Sequence, residues 1–145
     1  MEIIKTSTII NESEINDTVN SCLNKLSSLY EHMLKYQYVD RTYFNSNSWN
    51  STINEENKAI SEMISKNTNV RNRFLSNLSK INKAYSSGLA RAINDNKTTS
   101  FPQSITPEYE VEKVIDRNYI ISFLDKYAQS DSEKNFVKEI ISGRK

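Results

Sequence analysis

Two side chains of this sequence carry reactive chemistry of their own, a single cysteine, Cys22, and a single histidine, His32. A thiolate nucleophile would need that imidazole within hydrogen-bonding reach as its base. Ten residues separate them on a stretch that reads as one helix, about 15 Å along the axis at ~1.5 Å per residue. The pair cannot meet within one chain, and Cys22 falls on an apolar stripe as a small core residue. Metal chemistry lacks ligands: one cysteine and one histidine do not furnish the common zinc sets. No Glu-x-x-His pair is present for a carboxylate di-metal centre. With two glycines in the chain there is no Gly-rich phosphate loop. No catalytic residue, metal ligand or cofactor site is assigned, and the chain reads as non-enzymatic.

Three features could instead carry binding. Aromatic residues concentrate where a first long helix ends and a second begins: Tyr36, Tyr38, Tyr43, Phe44 and Trp49. They either plug the end of a bundle or face a partner, since tyrosine and tryptophan dominate interface hot spots. Basic residues accumulate further on: Arg71, Arg73, Lys80, Lys83, Arg91 and Lys97 are answered in that stretch only by Asp95. Glu108, Glu110, Glu112 and Asp116 then open the next helix and could fold back to neutralise this face. The alternative is an acidic partner or a nucleic-acid backbone. The third feature is the apolar seam, which would need a partner helix wherever the chain's own helices leave it uncovered.

The elements that must position these residues are helical. Asn11 begins Asn-Glu-Ser-Glu, an N-cap with Glu14 three residues on. Ile15, Val19, Cys22, Leu26, Leu29, Met33 and Tyr36 follow in steps of four and three, a coiled-coil-like seam widened by Leu23, Tyr30 and Leu34. That helix is expected to run to about Tyr43. The polar stretch from Phe44 to Thr52 breaks it, and a second helix is expected from Ser51 or Thr52, with Glu55 near its positive end. Its seam reads Ile53, Ile60, Met63/Ile64, Val70, Phe74, Leu78, Ile81, Tyr85, Leu89 and Ile93. Lys66 to Val70 is polar and a poor helix former, so a kink or break is expected there. Thr106-Pro107-Glu108 signals a third helix bearing Val111, Val114, Ile115, Ile121, Phe123, Leu124 and Tyr127. Ser130-Asp-Ser-Glu133 caps a last short helix that Gly143 stops. The fold class is therefore all-α: a long antiparallel helical hairpin over 1–97 with a short N-terminal arm (Ile3, Ile4, Ile9, Ile10), a connector over 98–107, and two shorter helices over 108–145 packed on the hairpin as one domain.

Composition agrees. Of 145 residues 37% are hydrophobic, which suits an elongated bundle with narrow apolar seams better than a thick core. Nineteen basic and 18 acidic residues leave a net charge of +1, so no global field points to nucleic acid or a membrane surface. Ile and Lys are favoured over Val and Arg, as in AT-rich genomes. No run of about 18 apolar residues is present to span a membrane, and MEIIKTSTII lacks the basic start and apolar stretch of a signal peptide. The expected location is the cytoplasm, or outside by a signal-independent route.

Residues Ile15 to Ile93, with Trp49-Asn50-Ser51 between two long helices, resemble the WXG-type helical-hairpin proteins of bacterial type VII secretion and the partners that accompany LXG toxins. Ser51 stands where that family's pattern has glycine. The family's export signal, a tyrosine followed four residues later by an acid, has counterparts at Tyr127–Asp131 and Tyr36–Asp40. The resemblance implies a non-enzymatic protein that pairs with another helical protein or with itself, as a secreted factor or targeting chaperone.

The leading expectation is thus a helical protein–protein interaction protein, an adaptor, chaperone or secreted partner. Its candidate contact residues are Tyr36, Tyr43, Phe44, Trp49, Arg71, Arg73 and Lys80. An inhibitor or immunity protein acting through the aromatic cluster is the alternative, and a nucleic-acid-binding regulator using the basic stretch is the third.

Overall fold

The structure, a computed structural model, describes residues 11–41, 48–95, 101–102, 105 and 109–143. The N-terminal arm, Tyr43, Phe44, Lys97 and the Thr106-Pro107-Glu108 signal lie outside the described residues. Among the described residues every regular element is a helix: α1 (Glu12–Tyr38), α2 (Ser48–Ser65), α3 (Thr68–Ser76), α4 (Leu78–Asp95), α5 (Val111–Val114), α6 (Arg117–Lys126) and α7 (Asp131–Ile141). No helix is long and apolar enough to cross a membrane.

The first helix starts as its cap dictates. The Asn11 side chain accepts from the Glu14 N–H at 2.8 Å, meeting one of the donors a helix start leaves unpaired. The helix ends at Tyr38 rather than near Tyr43. Val39 is extended, with φ −90° and ψ 130°, and that turn outward delivers Arg41 into the interior. The whole seam is buried: Ile15, Val19, Cys22, Leu26, Leu29, Met33 and Tyr36, with Leu23, Tyr30 and Leu34 beside it. So wide a stripe fits a helix at the middle of a bundle, and α1 packs against α2, α3 and α4 at once.

The expected second arm is divided in three, and only α2 runs antiparallel to α1, with Trp49 beside Lys35 and Met63 beside Cys22. The chain then reverses, and α3 and α4 run parallel to α1: Arg73 meets Glu12, Arg91 meets Glu31 and Asp95 meets Lys35. α2 begins at Ser48, so Trp49 lies in its first turn rather than in a loop. The break expected near Asn67 is present. Asn67 is extended and caps α3 by accepting from the Val70 N–H at 3.1 Å. A second break, at Asn77, was not legible in the spacing; its side chain accepts from the Lys80 N–H at 3.3 Å. The interruption turns the helix face, and Leu78 leaves the seam with 63% of its surface exposed. Leu89 and Ile93 also move to half-buried positions, and the seam of α4 becomes Ile81, Ala84, Tyr85, Gly88 and Ala92. Small residues at 84, 88 and 92, four apart on one face, let α4 approach α1 closely.

The first C-terminal helix is also split. Asp116 caps α6, accepting from the Tyr119 N–H at 3.3 Å. The split turns carbonyls toward α2: Asn57 Nδ2 donates to Val114 O and Ser61 Oγ to Ile115 O, both at 2.7 Å. These side chains meet acceptors that a helix end would otherwise leave unpaired. As expected, Ser130 caps α7 and Gly143, at φ 83°, ends it.

Gly88 tests the packing of α1 on α4. A Cβ there would lie 2.7 Å from Ser27 O, 3.0 Å from Glu31 N and 3.2 Å from Tyr30 Cβ, the first two being backbone atoms. Gly→Ala inside a helix ordinarily stabilises by about 0.5–1 kcal/mol, whereas overpacking costs about 1–3 kcal/mol. Gly88→Ala is therefore expected to lower the urea-unfolding midpoint, and a raised midpoint would show that the two helices are not held this close.

Candidate functional site

The reactive side chains are spent on structure. Cys22 has no exposed surface, and its Sγ lies 3.7 Å from the Met63 sulfur. Burial pushes its thiol up to about 11, so it is not a thiolate near neutrality. His32 Nδ1 lies 2.8 Å from Ser28 O within its own helix. Among the described residues no cluster of three or more His, Cys, Asp or Glu side chains could hold a metal.

Of the aromatic residues singled out by sequence, Tyr36 and Trp49 lie against Arg41 and Tyr38 meets Phe101 edge to face at 5.9 Å. The Arg41 side chain is 2% exposed, and all five of its N–H donors have acceptors. Nε donates to Glu133 Oε2 at 2.8 Å and Nη2 to Glu133 Oε1 at 3.0 Å, a bidentate pair. Nη1 donates to the carbonyls of Tyr36 (2.5 Å) and Val39 (3.2 Å), and Nη2 also to that of Tyr127 (2.8 Å). Gln129 completes the knot, accepting from Arg41 N and donating to Val39 O. Tyr36 is a correction to the sequence reading: it has no exposed surface, so it offers nothing to a partner. Its ring lies under the guanidinium at 4.0 Å and its hydroxyl donates to Leu124 O. Trp49 is half-buried, its ring centroid 5.8 Å from Lys35 Nζ and 5.9 Å from Arg41 Cζ.

The three basic residues singled out by sequence go to three places. Arg71 shares a shallow pocket with Glu112 and Asp116, so there the acidic stretch does fold back beside a basic residue. Arg73 pairs with Glu12 at 2.6 Å and donates to Asn16. Lys80 faces a groove between α1 and α4. Arg91 is taken by Glu31 at 2.7 Å, and Glu31 also holds Lys35, which reaches Asp95 at 2.9 Å. Burial would push the Glu31 carboxyl up, but hydrogen bonds from Arg91 and Lys35 hold it below the usual range. The Tyr127–Asp131 motif is not one helical unit: Tyr127 caps the end of α6, and Asp131 is the first residue of α7.

What the spacing missed is the ground around Leu78. The exposed side chain stands at a groove of about 330 Å³ walled by Tyr30, Ile81, Tyr85, Tyr109 and Val111, with Glu110 and Glu112 on its rim. Tyr30 and Tyr85 meet edge to face at 5.1 Å, and Tyr109 stacks on Tyr30 at 6.3 Å. The only sequence signal was Asn77, an asparagine able to cap a new helix after a break.

The family model described as "Domain of unknown function DUF29" matches residues 5–120. The chain belongs to the DUF29 family. No curated protein and no solved structure matches it. The DUF29 match takes in α1 to α5 and the first turn of α6, and with them Arg41, Leu78 and the α1–α4 groove. Glu133, the buried partner of Arg41, lies beyond it on α7.

Two measurements test the Arg41 knot. Removing one member of a buried ion pair leaves the other charge uncompensated, at a cost of about 3–5 kcal/mol. Arg41→Met should lose that much in urea unfolding, and a change below about 1 kcal/mol would sink the assignment. The second is pH dependence. Burial alone would raise the Glu133 carboxyl, but hydrogen bonds from Arg41 and the backbone of Gln129 and Ser130 hold it below the ordinary 4.5. The unfolded chain therefore takes up the proton first. The stabilisation is complete above pH 4.5 and is lost as pH falls through the folded value. Glu133→Gln should be less stable at neutral pH and lose less on acidification.

Proposed function

We propose that this DUF29 protein is a non-enzymatic interaction protein of adaptor or chaperone type, and that it receives an apolar side chain of a partner protein in the groove beside Leu78. The observation that carries this is the position of Leu78. The apolar seam of α1 is covered by the chain's own helices, so the bundle does not need a partner helix to complete its core. Leu78 is different: it is 63% exposed at the mouth of a groove walled mostly by aromatic and aliphatic side chains. A single exposed leucine is ordinary. An exposed leucine adjoining a preformed apolar groove has the composition of an interface core, with Glu110 and Glu112 as a polar rim. The fitting partner segment is a helix presenting a large apolar anchor flanked by lysine or arginine.

Photo-crosslinking in the cells that make the protein tests this, with a benzophenone amino acid at Asn82, an exposed position lining the same groove. One discrete protein adduct is expected. Leu78→Asp should abolish it while leaving the far-UV circular dichroism unchanged, because the side chain is already largely solvated. No adduct, or one indifferent to Leu78→Asp, would overturn the proposal.

A further inference from the structure

A second groove runs along the opposite side of α4. It measures about 650 Å³ and has Asn20, Asn24 and Ser27 of α1 on one wall and Lys80, Lys83 and Ser87 of α4 on the other. Arg91, paired with Glu31, lines one end, and toward the start of α1, beyond the groove's lining, Arg73 pairs with Glu12. Between them no carboxylate lines the groove among the described residues. The acids that could have neutralised it are elsewhere, Glu110 and Glu112 on the rim of the Leu78 groove and Asp116 at the start of α6. Lys80 and Lys83 are exposed and one helical turn apart, a like-charged pair that is unfavourable until an anion sits near both.

From this arrangement we infer that the α1–α4 groove binds an acidic peptide segment of a partner protein, through two carboxylates spaced about one helical turn apart. Each carboxylate would accept from a lysine ammonium, with amide and hydroxyl donors of Asn20, Asn24, Ser27 and Ser87 in the same cleft. The uncompensated stretch from Asn20 to Ser27 is about 10 Å long at ~1.5 Å per residue, room for two or three side chains. A nucleic-acid duplex fits poorly, because its phosphates continue past both ends. There they would meet Glu14 and Asp17 beside the Arg73–Glu12 pair on one side and, on the other, Arg91 and Lys35 already paired with Glu31 and Asp95. The inference is separate from the Leu78 groove, which lies on the other face of α4.

Fluorescence anisotropy of fluorescein-labelled hexaglutamate with the full chain tests it. Binding is expected at low ionic strength and should weaken as salt is added. The double substitution Lys80→Gln/Lys83→Gln should weaken it about tenfold, the sum of two exposed charge contacts. Lys134→Gln/Lys138→Gln, on exposed positions of α7, makes the same change in net charge and should shift it less than about twofold. Leu78→Asp should leave it unchanged, which keeps the two grooves distinguishable. Equal losses in both lysine pairs would mean general attraction to a cationic surface and would overturn the inference. So would no binding, a short duplex DNA that displaces the peptide at lower concentration, or low-salt self-association that the Lys80/Lys83 pair abolishes.

Discussion

A guanidinium sealed inside a protein must have its charge balanced and its donors met, and Arg41 imposes that requirement on three segments at once. Its five donors are met by one carboxylate and three backbone carbonyls, contributed by the end of α1, the end of α6 and the start of α7. The carbonyls of Tyr36 and Val39 can serve only if α1 ends where it does, and Glu133 only if α7 starts against that end. The same knot explains why Tyr36 is buried under a cation and why Trp49 sits beside Lys35 and Arg41. It ties the C-terminal helix to the hairpin, although the two charged residues are 92 positions apart in sequence. A buried pair of this kind need not add net stability over an apolar substitute. Breaking it is what costs, and that makes it a specification of where the helices must end.

Around that fixed point the bundle is built on one uninterrupted helix, α1, whose spacing and cap agree over its whole length. α2 returns antiparallel to it, and the chain then reverses at Asn67 so that α3 and α4 run parallel to α1. The reversal and a second break at Asn77 are each marked by an asparagine whose side chain caps the helix that follows. The break at Asn77 brings Ala84, Gly88 and Ala92 against α1 and turns Leu78 outward. The close approach at Gly88 and the exposure of Leu78 are thus two consequences of one local break.

The surfaces left over differ in character on the two sides of α4. One side is apolar and rimmed by carboxylates, the other polar and cationic, with the Arg91–Glu31 ion pair at one end. Of the side chains with intrinsic reactivity, Cys22 is buried against Met63 and His32 is held to a carbonyl of its own helix. The reading as an interaction protein draws its support from this division, in which the apolar seam of α1 is covered by the chain's own helices and two grooves of contrasting chemistry lie on the outside of α4.

Much of the fold was legible in the residues. The all-α class, the first helix and its Asn11 cap, the buried stripe from Ile15 to Tyr36, the break near Asn67 and the last helix between Ser130 and Gly143 all follow from local rules: apolar periodicity, capping side chains and glycine at a left-handed turn. Such rules act over three or four residues, so a single sequence displays them. Tertiary structure decided what those rules cannot reach. Arg41 reads as one more surface arginine until Glu133 is brought to it, Tyr36 as an available aromatic until Leu124 and the guanidinium enclose it. Leu78 reads as a core leucine until the turn at Asn77 rotates it out. In each case the outcome depends on a partner dozens of residues away or on the phase of a helix face. Both are set by packing, where a buried charge or a backbone approach admits one arrangement, and local propensity carries no record of either.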